Sequence, residues 1–144
     1  MKRYGFTLIE MIIVLGLVAV IMAFSIPKSS SAYQEWQQRH FWQEMKQEWQ
    51  LAQVRSQNLN KITEISYDQP ERVIIFLSEN HERKVAVPHS IRVNAFCPRT
   101  MKSDGYIQPG TWCFTDNLHH EQINLKIQMA GGGYRIEKKE FYSE

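Results

Sequence analysis

The sequence predicts an α+β fold in which one long N-terminal helix packs on an antiparallel β-sheet. Three observations predict it. An apolar run extends from Phe6 to Ile26, a helix-favouring stretch rich in Gln, Glu, Trp and Lys follows from Ala32 to Asn60, and short alternating segments with turns occupy the remainder. The 144-residue chain is thus divided into a short basic N-terminal segment (1–5), an apolar helix (6–27), an amphipathic helix (28–60) and a β-rich domain (61–144).

The apolar run reads "FTLIEMIIVLGLVAVIMAFSI". A helix of that length extends about 30 Å at roughly 1.5 Å per residue, which matches the hydrocarbon thickness of a bilayer. Lys2 and Arg3 precede the run, and only Lys28 follows closely, so the N-terminus is expected to stay cytoplasmic. The pattern therefore predicts a single-pass membrane protein whose later residues face outward.

Glu10 is the only charged residue inside the apolar run. A carboxylate within an apolar membrane helix costs about 2.5–3.5 kcal/mol even on the gentler insertion scales. No positive charge lies nearby in the segment, so the pattern indicates a cationic partner on another molecule. Two simpler interpretations stay open, a secretory signal peptide cleaved near Ala23-Phe24-Ser25 and a plain membrane anchor.

The segment Gly5–Glu10 resembles the leader junction of type IV pilins and type II secretion pseudopilins. The likeness covers the short basic leader, the glycine, Phe6 directly after it and the glutamate five residues beyond the glycine. It continues through the apolar helix to Pro27, which matches the helix-loosening proline of that superfamily.

The resemblance implies a sequence of processing and assembly steps. A membrane-embedded prepilin peptidase would cut between Gly5 and Phe6, removing residues 1–5, and the new Phe6 amine would be N-methylated. Glu10 would then pair with the Phe6 amine of a neighbouring subunit as the filament assembles. The implied partners are other major and minor pilin-like subunits, the prepilin peptidase, the membrane and the pilus assembly platform.

The second half of the long helix is predicted to be amphipathic, continuing the apolar half almost unbroken to about residue 60. Six apolar residues fall at helical spacing on one face, and we expect this face to pack on the sheet. They are Phe41, Trp42, Met45, Trp49, Ala52 and Leu59. Trp36 and Val54 lie off this face, so we expect them to point away from the core, where Trp36 suits a neighbouring subunit.

The rest of the chain reads as β-structure. Alternating or apolar segments predict strands at residues 62–67, 72–77, 83–87, 91–96, 112–115, 123–129 and 134–139. Turn-forming residues predict connections at 68–71, 78–82, 98–110 and 130–133. The final strand carries several charges and is predicted to lie at the edge of the sheet.

The short length and this tail resemble the H-type minor pseudopilins and, most of all, the ComGD-type minor pilins of Gram-positive competence pili. The features that carry this resemblance are Gly105, a polar loop, an apolar strand, the three glycines at 131–133 and a basic last strand. It implies a structural subunit for DNA uptake in transformation, located at the cell surface after assembly. The alternatives are a type II secretion pseudopilin, a general type IV pilus subunit and a direct DNA-binding pilus component.

The remaining candidate sites are few. Cys97 and Cys113 enclose a loop whose bridging would contribute roughly 3 kcal/mol in the chain-entropy model, and a disulfide is expected if this region lies outside the cytoplasm. Segment 119–121, His-His-Glu, lacks a third nameable ligand, so no metal site is predicted. No phosphate loop, nucleophile elbow or paired-carboxylate constellation is present in the sequence, so neither an enzyme nor a cofactor is predicted.

The net charge of the chain is +2, and the residues beyond 27 carry 15 basic and 14 acidic side chains. This balance provides no overall electrostatic footprint for nucleic acid, although a local patch stays open. The candidates for such a patch lie on the last hairpin, where basic residues flank an aromatic one. They are Lys126, Tyr134, Arg135, Lys138 and Lys139. The alternative is a solvated edge strand whose lysines prevent aggregation. On that interpretation, any association of the protein with DNA is indirect.

Overall fold

The computed structural model describes residues 8–25, 30–79, 81–128 and 131–140. The chain forms two compact units, Met1–Ala32 and Tyr33–Glu144. Helices precede strands along the chain, and the strands pair with antiparallel neighbours throughout these ranges, so the predicted α+β class is confirmed.

Helix α1 extends over Leu8–Ser25. Its apolar side chains from Leu8 to Ile21 are exposed around the helix. None of the helices in the described part of the chain combines the length and the apolar character that crossing a bilayer demands. The spanning segment predicted at residues 6–27 extends at both ends into residues outside the described ranges. Pro27 and the predicted continuity with the next helix also lie outside them.

Helix α2 extends over Ser30–Leu59, and its sequence is dominated by Gln, Glu, Lys, Arg and other good helix formers. The predicted core face is confirmed for Phe41, Met45, Trp49 and Ala52, which are almost fully buried. Leu59 was wrongly predicted to join them. It is 60% exposed, because it is the last residue of α2 and lies past the buried face.

The other face of α2 agrees with its prediction. Trp36 and Val54 are 54% and 52% exposed, as their positions on the helical wheel predict. Trp42 occupies the margin of the buried face, where it is partly covered and meets Phe114 edge-on at 5.5 Å between ring centroids. Apart from Leu59, the 3.6-residue periodicity therefore predicts the buried and exposed faces of the helix.

The first sheet has the strand order β3-β2-β1-β5. Its strands are β1 (Thr63–Asp68), β2 (Val73–Ser78), β3 (His81–Ala86) and β5 (Arg99–Met101). Strand β5 lies inside the segment predicted as a loop, so that prediction is wrong in part. Three residues are too few to show alternation, and Met101 gains its place by pairing with the free edge of β1 at Thr63.

The second sheet has the strand order β4-β6-β7-β8. Its strands are β4 (Ile91–Ala95), β6 (Gly110–Asp116), β7 (Glu121–Ile127) and β8 (Tyr134–Glu140). Strand β8 pairs with β7 alone among the described strands, so its predicted edge position is confirmed.

The division into two sheets corrects the prediction of one sheet. After β3 the chain turns at Pro88, and β4 pairs with β6 instead of extending the first sheet. The Arg72 guanidinium binds the connection between β3 and β4. Its Nη2 donates hydrogen bonds to the carbonyl oxygens of Pro88 and Ile91 at 3.0 and 2.8 Å. A part-buried guanidinium bonded to two carbonyls fixes the path of the connection.

Both sheets contribute to one hydrophobic core with α2. Ile65, Ile74 and Phe76 come from the first sheet, and Phe114 and Leu125 come from the second. Aromatic and β-branched side chains fill most of this core, which suits packing between a helix and pleated surfaces.

Candidate functional site

Glu10 lies in the first turn of α1 and is exposed. Gly5 and Phe6, the predicted processing residues, lie outside the described ranges. A carboxylate at a helix N-terminus gains about 0.3–1 kcal/mol from the helix dipole. That gain is smaller than the roughly 2.5–3.5 kcal/mol that an apolar membrane environment would cost. The dipole alone therefore does not account for Glu10 in so apolar a helix.

An exposed stack of aromatic rings lines the N-terminal part of α2. The rings of Tyr33 and Trp36 are 6.0 Å apart, and those of Trp36 and His40 are 5.3 Å apart and nearly parallel at 6°. Exposed aromatic side chains that hold a fixed geometry are typical of protein interfaces. This surface, defined by Tyr33, Trp36 and His40, fits contact with another protein.

The register of β7 and β8 separates the five predicted DNA contacts. Lys126 lies directly opposite Arg135, and Lys139 is opposite Gln122, so these three basic residues share the face of the sheet that points away from α2. Tyr134 and Lys138 point to the other face, opposite Ile127 and Ile123. The structure therefore brings together three of the five residues.

The environment of Tyr134 is that of a core residue. Its ring packs edge-on against Trp49 at 5.0 Å between centroids, and burial raises the pKa of its phenol above the usual value. Lys138 binds Glu121 through an Nζ–Oε2 contact of 3.0 Å. Both residues therefore lie on the face of the sheet turned toward the core, apart from Lys126, Arg135 and Lys139.

Arg92 also belongs to this basic set, although its place in the sequence, far from the C-terminal hairpin, does not reveal it. It lies on β4 directly opposite Thr115, and Thr115 in turn lies opposite Gln122 on β7. The alternation of Ile91, Arg92 and Val93 signals that Arg92 points away from the core, but only the strand order places it beside the C-terminal hairpin.

Cys97 and Cys113 are free thiols in the structure, the first exposed and the second half-buried. Cys113 lies opposite Ala95, and the backbone oxygen of Cys97 accepts a 2.8 Å hydrogen bond from Nε1 of Trp112. The indole thus holds the segment after β4 against β6 without a covalent bond. The disulfide stays a prediction.

A buried carboxylate, Asp116, joins α2 to the turn between β6 and β7. Its Oδ1 accepts hydrogen bonds of 2.8 Å from Nε2 of Gln38 and from the backbone N–H of Leu118, and Nδ1 of His119 lies 2.8 Å from its Oδ2. Burial by itself raises the pKa of Asp116, but the hydrogen bonds from His119, Gln38 and the backbone outweigh it and hold the pKa below its usual value.

The lowered pKa of Asp116 predicts how stability changes with acid. Because the folded-state pKa lies below the unfolded value, its contribution is complete above about pH 4 and disappears as the pH falls through the folded pKa. Asp116→Asn should lower the free energy of unfolding by about 1.5–3 kcal/mol at pH 7 and flatten its dependence on pH below about 4. Urea denaturation of the full chain in a zwitterionic detergent measures both. The exposed Glu64→Gln on β1 is the control, and an unchanged acid slope in Asp116→Asn would contradict the assignment.

The glycine-rich turn before β8 is held by α2. Nε1 of Trp49 donates to the carbonyl oxygen of Gly132 at 2.8 Å, and Nε2 of Gln53 donates to that of Gly131 at 2.9 Å. Gly132 has a left-handed φ of 63°, and a Cβ there would lie 2.4 Å from the carbonyl oxygen of Gly105. The turn therefore requires glycine at position 132 for both its conformation and its space.

His119 and His120 lie in the turn between β6 and β7, and Glu121 begins β7. His119 contacts Asp116, and Glu121 binds Lys138. Over residues 8–25, 30–79, 81–128 and 131–140, no three His, Cys, Asp or Glu side chains lie close enough together to hold one metal ion.

Comparison with known proteins places one match on the N-terminal region. Residues 1–26 match the family model described as the prokaryotic N-terminal methylation motif. No curated protein and no solved structure is similar enough to the chain to match it. The match covers the short basic leader, the predicted processing residues Gly5 and Phe6, and Glu10. The chain thus carries the prokaryotic N-terminal methylation motif over its first 26 residues.

Proposed function

We propose that this chain is a minor pilin-like structural subunit of a competence type IV pilus, required to assemble the filament that takes up DNA for transformation. The observation that carries the proposal is the methylation motif over residues 1–26, with Glu10 in the first turn of α1. A motif of this type implies a membrane-anchored N-terminus, processing by a prepilin peptidase and association with other pilins in a surface filament. The subunit is structural and catalyses no reaction itself.

The geometry supports a role in assembly at two places. Helix α1 exposes apolar side chains around its circumference, and such a helix is covered by lipid or by other helices in its working state. The stacked surface of Tyr33, Trp36 and His40 offers a separate contact for a protein neighbour. We assign α1 to the filament core and the stacked surface to a minor subunit beside it.

Processing tests the proposal directly. Gly5→Leu should leave the precursor uncut, because it puts a bulky side chain in place of the glycine at the predicted cleavage site. We expect a larger band in the membrane fraction on immunoblots, and a transformation frequency reduced by at least tenfold. Mass spectrometry of the wild-type protein should find N-methylated Phe6 as the first residue.

The control is Lys2→Gln, which changes the leader without touching the cut site and should be processed. A wild-type chain that retains residues 1–5, or one trimmed near Ser25, would overturn the proposal. A strain that lacks the chain could instead transform normally but lose protein secretion or twitching. That result would assign the subunit to a type II secretion system or to a general type IV pilus.

A further inference from the structure

The face of the second sheet that points away from α2, the outer face, is polar and basic. Adjacent strands align its residues in rows, with Arg92, Thr115, Gln122 and Lys139 in one row and Thr111, Lys126 and Arg135 in another. Four strands at roughly 4.8 Å spacing place Arg92 and Lys139 about 14 Å apart at their backbones. Four cations therefore lie on one side of one sheet.

Two of the positive charges on this face lie next to each other and repel. Lys126 and Arg135 are direct cross-strand neighbours of like charge, a pairing that destabilises a sheet. Among the described strand residues of the outer face, Glu137 is the one acid, and its Oε2 lies 2.7 Å from Nζ of Lys126. This ion pair, with the fields of Arg135 and Lys139, lowers the pKa of Glu137. The local potential is therefore positive despite the nearly balanced chain.

The outer face differs from the surface that fits a protein partner. None of the large exposed hydrophobic side chains in the described part of the chain lies on it, whereas Tyr33, Trp36, Leu51 and Val54 line the exposed side of α2. The centres of protein interfaces are depleted in charged residues and enriched in aromatic ones. Lys, Arg, Thr, Asn and Gln are instead the side chains that contact phosphate groups.

We propose that the outer face binds the phosphate backbone of double-stranded DNA without regard to sequence. Single-strand binding would require exposed aromatic rings for the bases, and Tyr134, the aromatic residue of this hairpin, packs on the opposite face against Trp49. The basic residues Arg92, Lys126, Arg135 and Lys139 supply the contacts, and the hydroxyl and amide groups between them add hydrogen bonds. The proposed function supplies only the biological context, a filament that takes up DNA, and the inference rests on it to that extent.

Fluorescence anisotropy tests the proposal with the full chain in zwitterionic detergent and a labelled 20-bp duplex of mixed sequence. The logarithm of the binding constant should fall with the logarithm of salt concentration with a slope of about −3 to −4, as expected for four phosphate contacts. In Arg135→Gln/Lys139→Gln the slope should become shallower by about 2, and the Kd at 50 mM salt should rise roughly tenfold. Glu137→Gln should tighten binding roughly threefold, since it removes the acid from the face.

Lys138→Gln is the control, because it removes one positive charge from the same strand but on the opposite face. Its Kd should stay within about twofold of the wild type, as its removal touches no proposed phosphate contact. An equal loss in Lys138→Gln, tighter binding of the single strand than of the duplex, or binding of polyphosphate but not of DNA would each overturn the proposal. None of these results would affect cleavage after Gly5, so the failure of this inference is distinguishable from failure of the proposed function.

Discussion

Glu10→Ala is expected to yield a processed protein that stays in the membrane and is absent from filaments. The substitution removes the costly charge from α1, so membrane insertion should be unchanged or improved. Assembly should fail, because the Phe6 amine of the neighbouring subunit would lose its carboxylate. Two opposite charges roughly 4 Å apart at an effective dielectric constant of 20 attract by about 4 kcal/mol. This attraction is gained only where the carboxylate meets the amine, and a charge left unpaired keeps its full cost, so the pair rewards the correct stagger between subunits.

The measurement is the ratio of the subunit in sheared filaments to that in membranes, by quantitative immunoblot. Glu10→Ala should reduce this ratio by at least tenfold while the mature band keeps its size. Met11→Ala is the neighbouring control, which shortens an apolar side chain of the same helix and keeps the charge. Filaments that contain Glu10→Ala at the wild-type level would show that Glu10 has no pairing partner.

Gly132→Ala is expected to be the most destabilising single methyl addition in the β-rich unit. The left-handed φ of 63° costs an alanine about 1–2 kcal/mol. The added Cβ would also lie 2.4 Å from the backbone oxygen of Gly105, so the turn must move. Movement breaks the hydrogen bond from Trp49 and leaves buried polar groups unsatisfied, which costs a further 1–3 kcal/mol or so. We expect a total loss of about 3–4 kcal/mol.

Gly131→Ala is the matched control, because Gly131 has a similar φ of 75° but a Cβ added there would meet no atom within 4 Å. It should lose only the conformational part, about 1–2 kcal/mol. Urea denaturation followed by tryptophan fluorescence measures both free energies of unfolding. Equal losses in the two variants would show that the contact with Gly105 has no energetic role.

Local patterns account for the parts of this fold that the sequence predicted. The helical spacing of Phe41, Met45 and Trp49 depends only on residues a few positions apart, and so does the glycine-rich turn before β8. The partition into two sheets depends on which distant strands pair. No residue near β4 in the sequence indicates that this strand pairs with β6. Strand β5 has only three residues, which is too few to show the two-residue alternation of a strand.

The candidate sites divide in the same way. Glu10 stands out from the sequence alone, because a charge in an apolar run is anomalous wherever the run lies. The residues of the outer face are only partly predictable from sequence, because the strand register decides which of them share one face. The odd positions 135, 137 and 139 share one side of β8 by alternation alone. Lys126 joins them only through the pairing of β7 with β8, and Arg92 only through the two intervening strands β6 and β7.

The bond from Trp49 to Gly132 joins residues 83 positions apart, and that from Gln38 to Asp116 joins residues 78 apart. A chain that leaves the ribosome from its N-terminus presents the helix long before these partners exist. The Nε1 N–H of Trp49 therefore has no access to this acceptor until the last hairpin has been synthesised. Truncation ahead of residue 132 would remove the acceptor, together with Tyr134, whose ring packs edge-on against the indole, so the truncated product should be more susceptible to quality-control proteases.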